Sequence, residues 1–229
     1  MNTLLSLFDY TGNWSQPYEE AGWNVIRIDR KIKQPDYFAD FNIDIADINT
    51  DWLYDNIFDN YESLDVVLCA PPCTDFAVSG AKHWAKKAIP EQTLFGEVNR
   101  LDYFINLSLQ CLRVIDLCKP QIWVIENPVG RISSLIPALG KGKYFQPYYY
   151  GDSYSKKTGL WGKFTMPEPT NIVAPEKGKH GSRTQKLGGK SERTKELRSI
   201  TPMGFAKAFY QANHNIVEYT DEFIDNFKI

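Results

Sequence analysis

Short apolar runs alternate with longer stretches of helical period along this chain. "LLSLF" (Leu4 to Phe8) is almost wholly apolar and stops at the turn-forming "DYTGNW". An apolar run this short, bounded by turn residues, predicts a buried strand. "SQPYEEAGW" predicts a brief helix closed by Gly22, and "NVIRIDR" a second strand. "NIDIAD" predicts the end of a third strand, before a helix over "TDWLYDNIFDNY". "DVVLCAP" predicts a fourth strand, Glu91 to Cys118 carries a long helical pattern, and "QIWVIENP" after Pro120 predicts a fifth strand. "SSLIPAL" predicts a helix, "KYFQPYYYGD" and "TGLWGKF" two more strands, and "TPMGFAKAFYQANHNIVEY" a late helix.

Strands alternating with helices predict an α/β fold with a doubly wound, mostly parallel sheet. In such sheets ligands bind outside the carboxyl ends of the strands. Polar or reactive groups fall there by order alone: Asp9 to Trp14 after the first strand, Asp29 after the second, Asp44 after the third, Cys73 after the fourth and Glu126 after the fifth. Five such strand ends predict one site.

Composition narrows the class. With 229 residues, 43% of them hydrophobic and 14% aromatic, the chain suits a globule with a sizeable core. Its apolar runs are too short to span a bilayer, so no membrane partner is expected. The N-terminus lacks a basic start and a small-residue cleavage site. Four cysteines without a metal-type CxxC pair suit a reduced, cytoplasmic protein with no metal. The net charge of -2 gives no global attraction to nucleic acid, so any attraction must be local.

The first two strand ends suit a nucleoside cofactor. A strand–turn–helix start presents backbone N–H groups, and Gly12 lets a ligand approach the turn closely. Asp29, 17 residues past Gly12, is placed to bond ribose hydroxyls. A helix cap and a solvated carboxylate are the plainer alternative. Asp44 or Asp47 suits an adenine amino group or a helix cap. Cys73 follows two prolines that stiffen the strand exit, whereas Cys69, inside the strand, suits a buried role. Glu126 ends an apolar strand, where burial would raise its pKa and let it carry a proton. A thiolate adding to C6 of cytosine, with an acid at N3, makes C5 able to attack an activated methyl group.

These residues resemble the cytosine-C5 methyltransferases that use S-adenosylmethionine. "LFDYTGNWSQPYEEAGWNVIRIDR" is similar to that family's first two motifs, "PPCTDFAVSG" to its proline–cysteine motif and mobile loop, and "ENPVG" to its Glu–Asn–Val motif. "RTQKLGGKSERTKELRSITPMGFAKAFYQAN" resembles the C-terminal motif of short, phage-type members. The resemblance implies a Rossmann-like S-adenosylmethionine-dependent methyltransferase sheet, with Cys73 as nucleophile and Glu126 as proton donor to N3. It implies that Phe8, Asp9, Gly12, Trp14 and Asp29 line the cofactor, with Asp44 near its adenine, Pro71 near the reacting base and Thr201 at the methionine end. Ser79, in the loop after the cysteine, would meet the substrate.

Three departures stand out. Pro128 replaces the family's valine. The Arg-x-Arg motif that positions the base has no match, and "YSKKTGLWG" stands in its place, so Lys156 or Lys157 is the candidate cation. Only about 35 residues separate "GLWGKF" from "SITPMG", too few for the family's separate target-recognition domain. The expected organisation is a catalytic and cofactor-binding domain over 1–164, a basic loop region over 165–198, and a C-terminal helix over 199–229 completing the domain. From Glu176 to Arg198, eight Lys or Arg stand against three Glu, net +5. Lys186, Lys190 and Arg193 in this run are candidate phosphate contacts, although a charge run is also what a solvated face carries. "KHWAKK" adds lysines and Trp84, which suits stacking on a base or plain packing, and His83, which suits a loop hydrogen bond. The expected partner is DNA, with sequence specificity relaxed or supplied by a partner chain. Action on RNA or a nucleotide, transfer of another group, and a non-catalytic nucleic-acid-binding relative are the alternatives.

Overall fold

The structure, a computed structural model, describes residues 1–33, 40–87, 89–93, 96–176 and 191–216. In chain order the elements are β1 (Thr3–Leu7), α1 (Gln16–Glu20), β2 (Asn24–Ile28), β3 (Asp40–Phe41), α2 (Thr50–Leu53), β4 (Val66–Cys69), α3 (Trp84–Lys87), β5 (Glu91–Thr93), β6 (Gly96–Val98), α4 (Arg100–Cys118), β7 (Ile122–Pro128), α5 (Ile132–Leu135), β8 (Lys143–Phe145), β9 (Thr158–Lys163), α6 (Glu192–Ser199) and α7 (Met203–Asn213).

Seven strands form one sheet in the order β3-β2-β1-β4-β7-β9-β8. The first five are parallel, and β9 runs antiparallel to both β7 and β8. The chain winds outward from β1 to β3 and then returns to β4 on the other side of β1. That reversal makes the carboxyl ends of β1 and β4, where Leu7 lies opposite Cys69, the switch point at which such sheets bind ligands. Antiparallel β9 pairs Thr158 with Pro128, which carries the residues just before β9 to the exit of β7. The expected doubly wound α/β sheet is therefore the observed one.

Both β1 and β4 are buried at every position, as continuous apolar runs in a sheet covered on both faces should be. On one face Leu5, Leu7, Ile26, Ile28, Val67 and Cys69 pack with Leu53, Cys111, Val114 and Ile132 from α2, α4 and α5. On the other, Leu4, Val25, Val66, Leu68 and Leu160 pack with Trp14, Tyr18, Phe205 and Phe209 from the α1 and α7 side. Each large apolar side chain fully buried in these layers contributes roughly 1.5–3 kcal/mol. Asn99 caps α4 by accepting from Leu101 N at 3.0 Å, and Gly22, at φ +81°, ends the turn after α1. Among the described residues no helix is long and apolar enough to cross a membrane.

Four local expectations are corrected. "NIDIAD" is not the end of the third strand: β3 is only Asp40–Phe41, and Ile45–Asp47 form a 3-10 turn capped by Asp44. The helical pattern from Glu91 gives way to an antiparallel β5–β6 pair, and the helix begins at Arg100. Tyr148 and Tyr149 belong to a 3-10 turn, Pro147–Tyr149, rather than to a strand. Residues 192–198, expected as loop, belong to a helix, Glu192–Ser199, with Ser191 as N-cap accepting from Thr194 N at 3.2 Å.

Candidate active site

The turn after β1 carries backbone strain. Phe8 adopts φ +62°, a left-handed conformation costly for a bulky residue by about 1–3 kcal/mol. Such strain persists where surrounding bonds hold it, and here Phe8 N donates to Ile28 O at 2.8 Å. Asp9 clasps the turn from beneath, accepting from Ser6 Oγ at 2.9 Å and Ser15 N at 3.2 Å. Gly12 has φ +67°, and a Cβ there would stand 3.2 Å from Arg27 Nε. That guanidinium braces the turn, with Nε donating to Ser15 Oγ at 2.8 Å and its other nitrogens paired to Glu19 and Asp40. Nothing in the local sequence points to Arg27, because its partners lie on α1 and β3.

Asp29 stands at the exit of β2, 9% exposed. Burial raises its carboxyl above the usual range, against the N–H groups of Lys31 and Tyr10 and the charges of Lys31 and Arg30. The Tyr10 contact brings the second strand end against the first turn. Asp44 caps the 3-10 turn through Ala46 N at 3.0 Å and also accepts from Tyr103 OH at 3.1 Å.

The Pro–Pro–Cys exit of β4 is fastened to β7. Asn127, fully buried, donates from Nδ2 to Pro71 O at 3.0 Å. Cys73 O accepts from Phe76 N and Ala77 N, both at 3.0 Å, closing a turn that leaves the thiol partly buried. The following segment is folded down onto the chain after Glu126. Val78 N donates to Val129 O at 2.9 Å, Arg131 N to Phe76 O at 3.0 Å, and Arg131 Nε to Asp75 O at 3.0 Å. Fully buried Asp75 pairs with Arg100 at the start of α4, 3.1 Å away. Trp84 packs with its ring 4.4 Å from the Arg131 guanidinium carbon.

This docking depends on Gly130, where an added Cβ would lie 1.9 Å from Phe76 O. Gly130→Ala is therefore expected to destabilise the protein by about 1–3 kcal/mol, read by urea denaturation. An unchanged midpoint would mean that the cysteine loop is not held against this segment.

Cys73 and Glu126 share one electrostatic environment. Burial pushes the Cys73 thiol up, the Glu126 charge pushes it further, and the cations Lys156 and Arg198 oppose both. Burial likewise raises the Glu126 carboxyl, opposed by Lys156. Lys156 is fixed because its N–H donates to Gln146 Oε1 at 3.1 Å and its carbonyl accepts from Thr158 Oγ1 at 2.9 Å. The thiol, just past β4, the carboxyl, within β7 two residues before its end, and the lysine, just before β9, thus act on one another through charge. Lys157, its neighbour, faces elsewhere, with Nζ 5.2 Å from the Tyr144 ring centre. Arg198 had no signal in the sequence beyond membership of the basic run, and it comes to the site because α6 ends there.

The remaining candidates scatter. Trp14 is 1% exposed and packs against Phe205 and Phe209 in the core. Thr201 is buried between α6 and α7. Ser79 lies in the 3-10 turn Val78–His83, and Arg193 is exposed on α6. Lys186 and Lys190 lie outside the described residues.

No protein-family model and no curated protein matches the sequence. A solved structure described as a DNA modification methyltransferase encoded within an E. coli prophage aligns over 76% of this chain, with TM-score 0.51 and 14% identity. The chain spans about half of that protein, 52% of its length. The methyltransferase EhMeth of Entamoeba histolytica aligns over 83% of this chain and 61% of its own, with TM-score 0.45 and 14% identity. A mutant of Spodoptera frugiperda DNMT2 aligns over 83% and 60%, with TM-score 0.42 and 14% identity. The likeness to the prophage-encoded protein is one of fold: this chain shares its Rossmann-like α/β sheet.

Proposed function

We propose that this protein transfers a methyl group from S-adenosylmethionine to C5 of cytosine in DNA, through a covalent bond between Cys73 and C6. The observation that carries the reading is the tie of the Cys73 loop, through Asn127 and Pro71, to β7, the strand that carries Glu126, with Cys73, Glu126 and Lys156 acting on one another through charge.

The residues around the first two strand ends fit the cofactor. Asp29 offers a largely buried acceptor suited to a ribose diol, and the strained Phe8 and positive-φ Gly12 shape the turn beside it. When bound, S-adenosylmethionine supplies an activated methyl group. Asp29→Ala is expected to weaken its binding by about 1–3 kcal/mol. Calorimetry giving unchanged affinity would move the ribose contact elsewhere.

Glu126 and Cys73 exchange influence through charge. Burial raises the Glu126 carboxyl and so favours the protonated form, the form that can donate to cytosine N3. A protonated Glu126 no longer repels the thiolate, while Lys156 and Arg198 still favour it. The thiolate adds to C6, electron density shifts to C5, and C5 takes the methyl group. Loss of the C5 proton to water, departure of the thiolate and return of the N3 proton to Glu126 restore the ring. A base within a duplex is out of reach of Cys73, so it must be flipped out or already single-stranded.

Mass spectrometry of nucleosides from DNA incubated with the protein and S-adenosylmethionine tests the reading. It predicts 5-methylcytosine. A different methylated nucleoside, or none, would overturn it.

A further inference from the structure

We infer that the β8–β9 edge of the sheet is a binding surface for single-stranded nucleic acid, leading to Cys73 from the side where the sheet ends. The inference rests on the proposed reaction only for its direction towards Cys73; the surface itself stands on its own chemistry. Between Lys141 and Lys163 the chain carries five lysines (Lys141, Lys143, Lys156, Lys157 and Lys163) and one acid, Asp152. That acid is engaged inward, its Oδ2 accepting from Gly204 N at 3.2 Å. With Lys156 engaged by the active-site thiol and carboxyl, the other four lysines make the edge positive on a chain whose net charge is -2.

An aromatic platform lies within this positive edge. Tyr144, on the outermost strand, is 45% exposed. Its ring meets Trp161 edge-on with centres 6.2 Å apart, so its tilt is fixed from below. Two glycines make room for the pair. A Cβ at Gly142 would lie 2.6 Å from the Trp161 ring, and one at Gly159 would lie 2.6 Å from Trp161 and 3.0 Å from Tyr144. Lys157 Nζ stands 5.2 Å from the Tyr144 ring centre. Lysines alone would serve to deter strand addition at a sheet edge. An exposed ring held in place beside a cation has a second use, because it stacks an unpaired base while the lysine meets the neighbouring phosphate. A paired base does not offer its face, which selects single strands over duplex.

The two adjacent lysines then divide the work. Lys156 acts through its charge on the thiol and carboxyl, whereas Lys157, pinned one residue on by Val129 N donating to its carbonyl at 3.4 Å, holds the strand at Tyr144.

Fluorescence anisotropy with a labelled, cytosine-containing oligonucleotide and a hairpin duplex of the same composition tests the surface, without methyl donor. The wild type should bind the single strand more tightly than the hairpin. Tyr144→Ala should lose about tenfold in single-strand affinity, and Tyr144→Phe should keep it. Lys157→Gln should flatten the salt dependence by about one unit of slope. Preference for the hairpin, unchanged single-strand affinity in both Tyr144→Ala and Lys157→Gln, or equal binding of polyglutamate, which would mark an acidic protein surface as the occupant, each overturns the inference. Failure of the two readings is separable. Binding that follows this pattern without 5-methylcytosine formation retains the surface and removes the reaction; 5-methylcytosine formation with binding indifferent to both positions does the reverse.

Discussion

Cys73→Ser is expected to bring methyl transfer to cytosine below detection while leaving affinity for S-adenosylmethionine unchanged. The hydroxyl is close in size to the thiol, so the turn closed by Phe76 N and Ala77 N and the tie from Asn127 to Pro71 should persist. What is lost is the nucleophile. A serine hydroxyl does not ionise in a site where burial already pushes even a thiol up, and Lys156 and Arg198 cannot compensate. Transfer assays with tritiated donor, together with calorimetry, check both halves. A variant that retains activity would place the chemistry on another group; one that loses cofactor binding would show that the substitution disturbs the fold.

Glu126→Gln should reduce transfer by roughly 10²–10⁴-fold, the usual contribution of a positioned acid. Its other effects have signs fixed by the same electrostatics. The Glu126 charge raises the Cys73 thiol, so removing that charge should move the pH profile of Cys73 alkylation by iodoacetamide to lower pH. The variant thus has a more readily ionised thiol and a slower reaction. Stability moves the other way from activity. At acid pH Glu126 is protonated in folded and unfolded chains alike. As pH rises through the ordinary carboxyl range towards the raised folded value, the unfolded chain releases the proton first, and the wild type loses stability. Glu126→Gln escapes that loss, so it should be more stable than wild type at neutral pH with the advantage shrinking on acidification. Denaturation at several pH values measures this. An alkylation profile that stays put or moves upward would mean that the two groups are not coupled.

The parts of this site that the sequence made legible are those set by the end of an apolar run. Asp29 and Cys73 could be located because "NVIRI" and "DVVLC" read as strands and the polar residues that follow stand at their exits. Local pattern failed where competing signals overlap. Residues 91–98 share apolar spacing with a helix, yet Thr93 and Val98 suit strands, and pairing across β5–β6 decided the outcome. The helix Glu192–Ser199 was hidden because "ERTKELRS" has almost no apolar face, so its charges read as loop despite good helix formers. The residues that brace the site were illegible for a different reason. Arg27 reaches Ser15 and Asp40, Asp75 reaches Arg100, and Arg198 approaches Cys73, each across separations that only the folded sheet closes.

The ambiguity between Lys156 and Lys157 is of the same kind. Sequence placed two cations where the family's arginine motif would stand. Alternation along the approach to β9 sends one towards the thiol and the other to Tyr144.

The central claim is a covalent bond from Cys73 to C6 of cytosine, and an oligonucleotide carrying 5-fluorocytosine tests it most directly. Fluorine at C5 cannot leave as a proton does, so after methyl transfer the thiolate cannot be expelled. The account predicts a denaturation-resistant complex that forms only with S-adenosylmethionine present, maps by mass spectrometry to the peptide containing Cys73, and is absent in Cys73→Ser. A methylated product without any trapped complex, or a complex mapping to another residue, would contradict it.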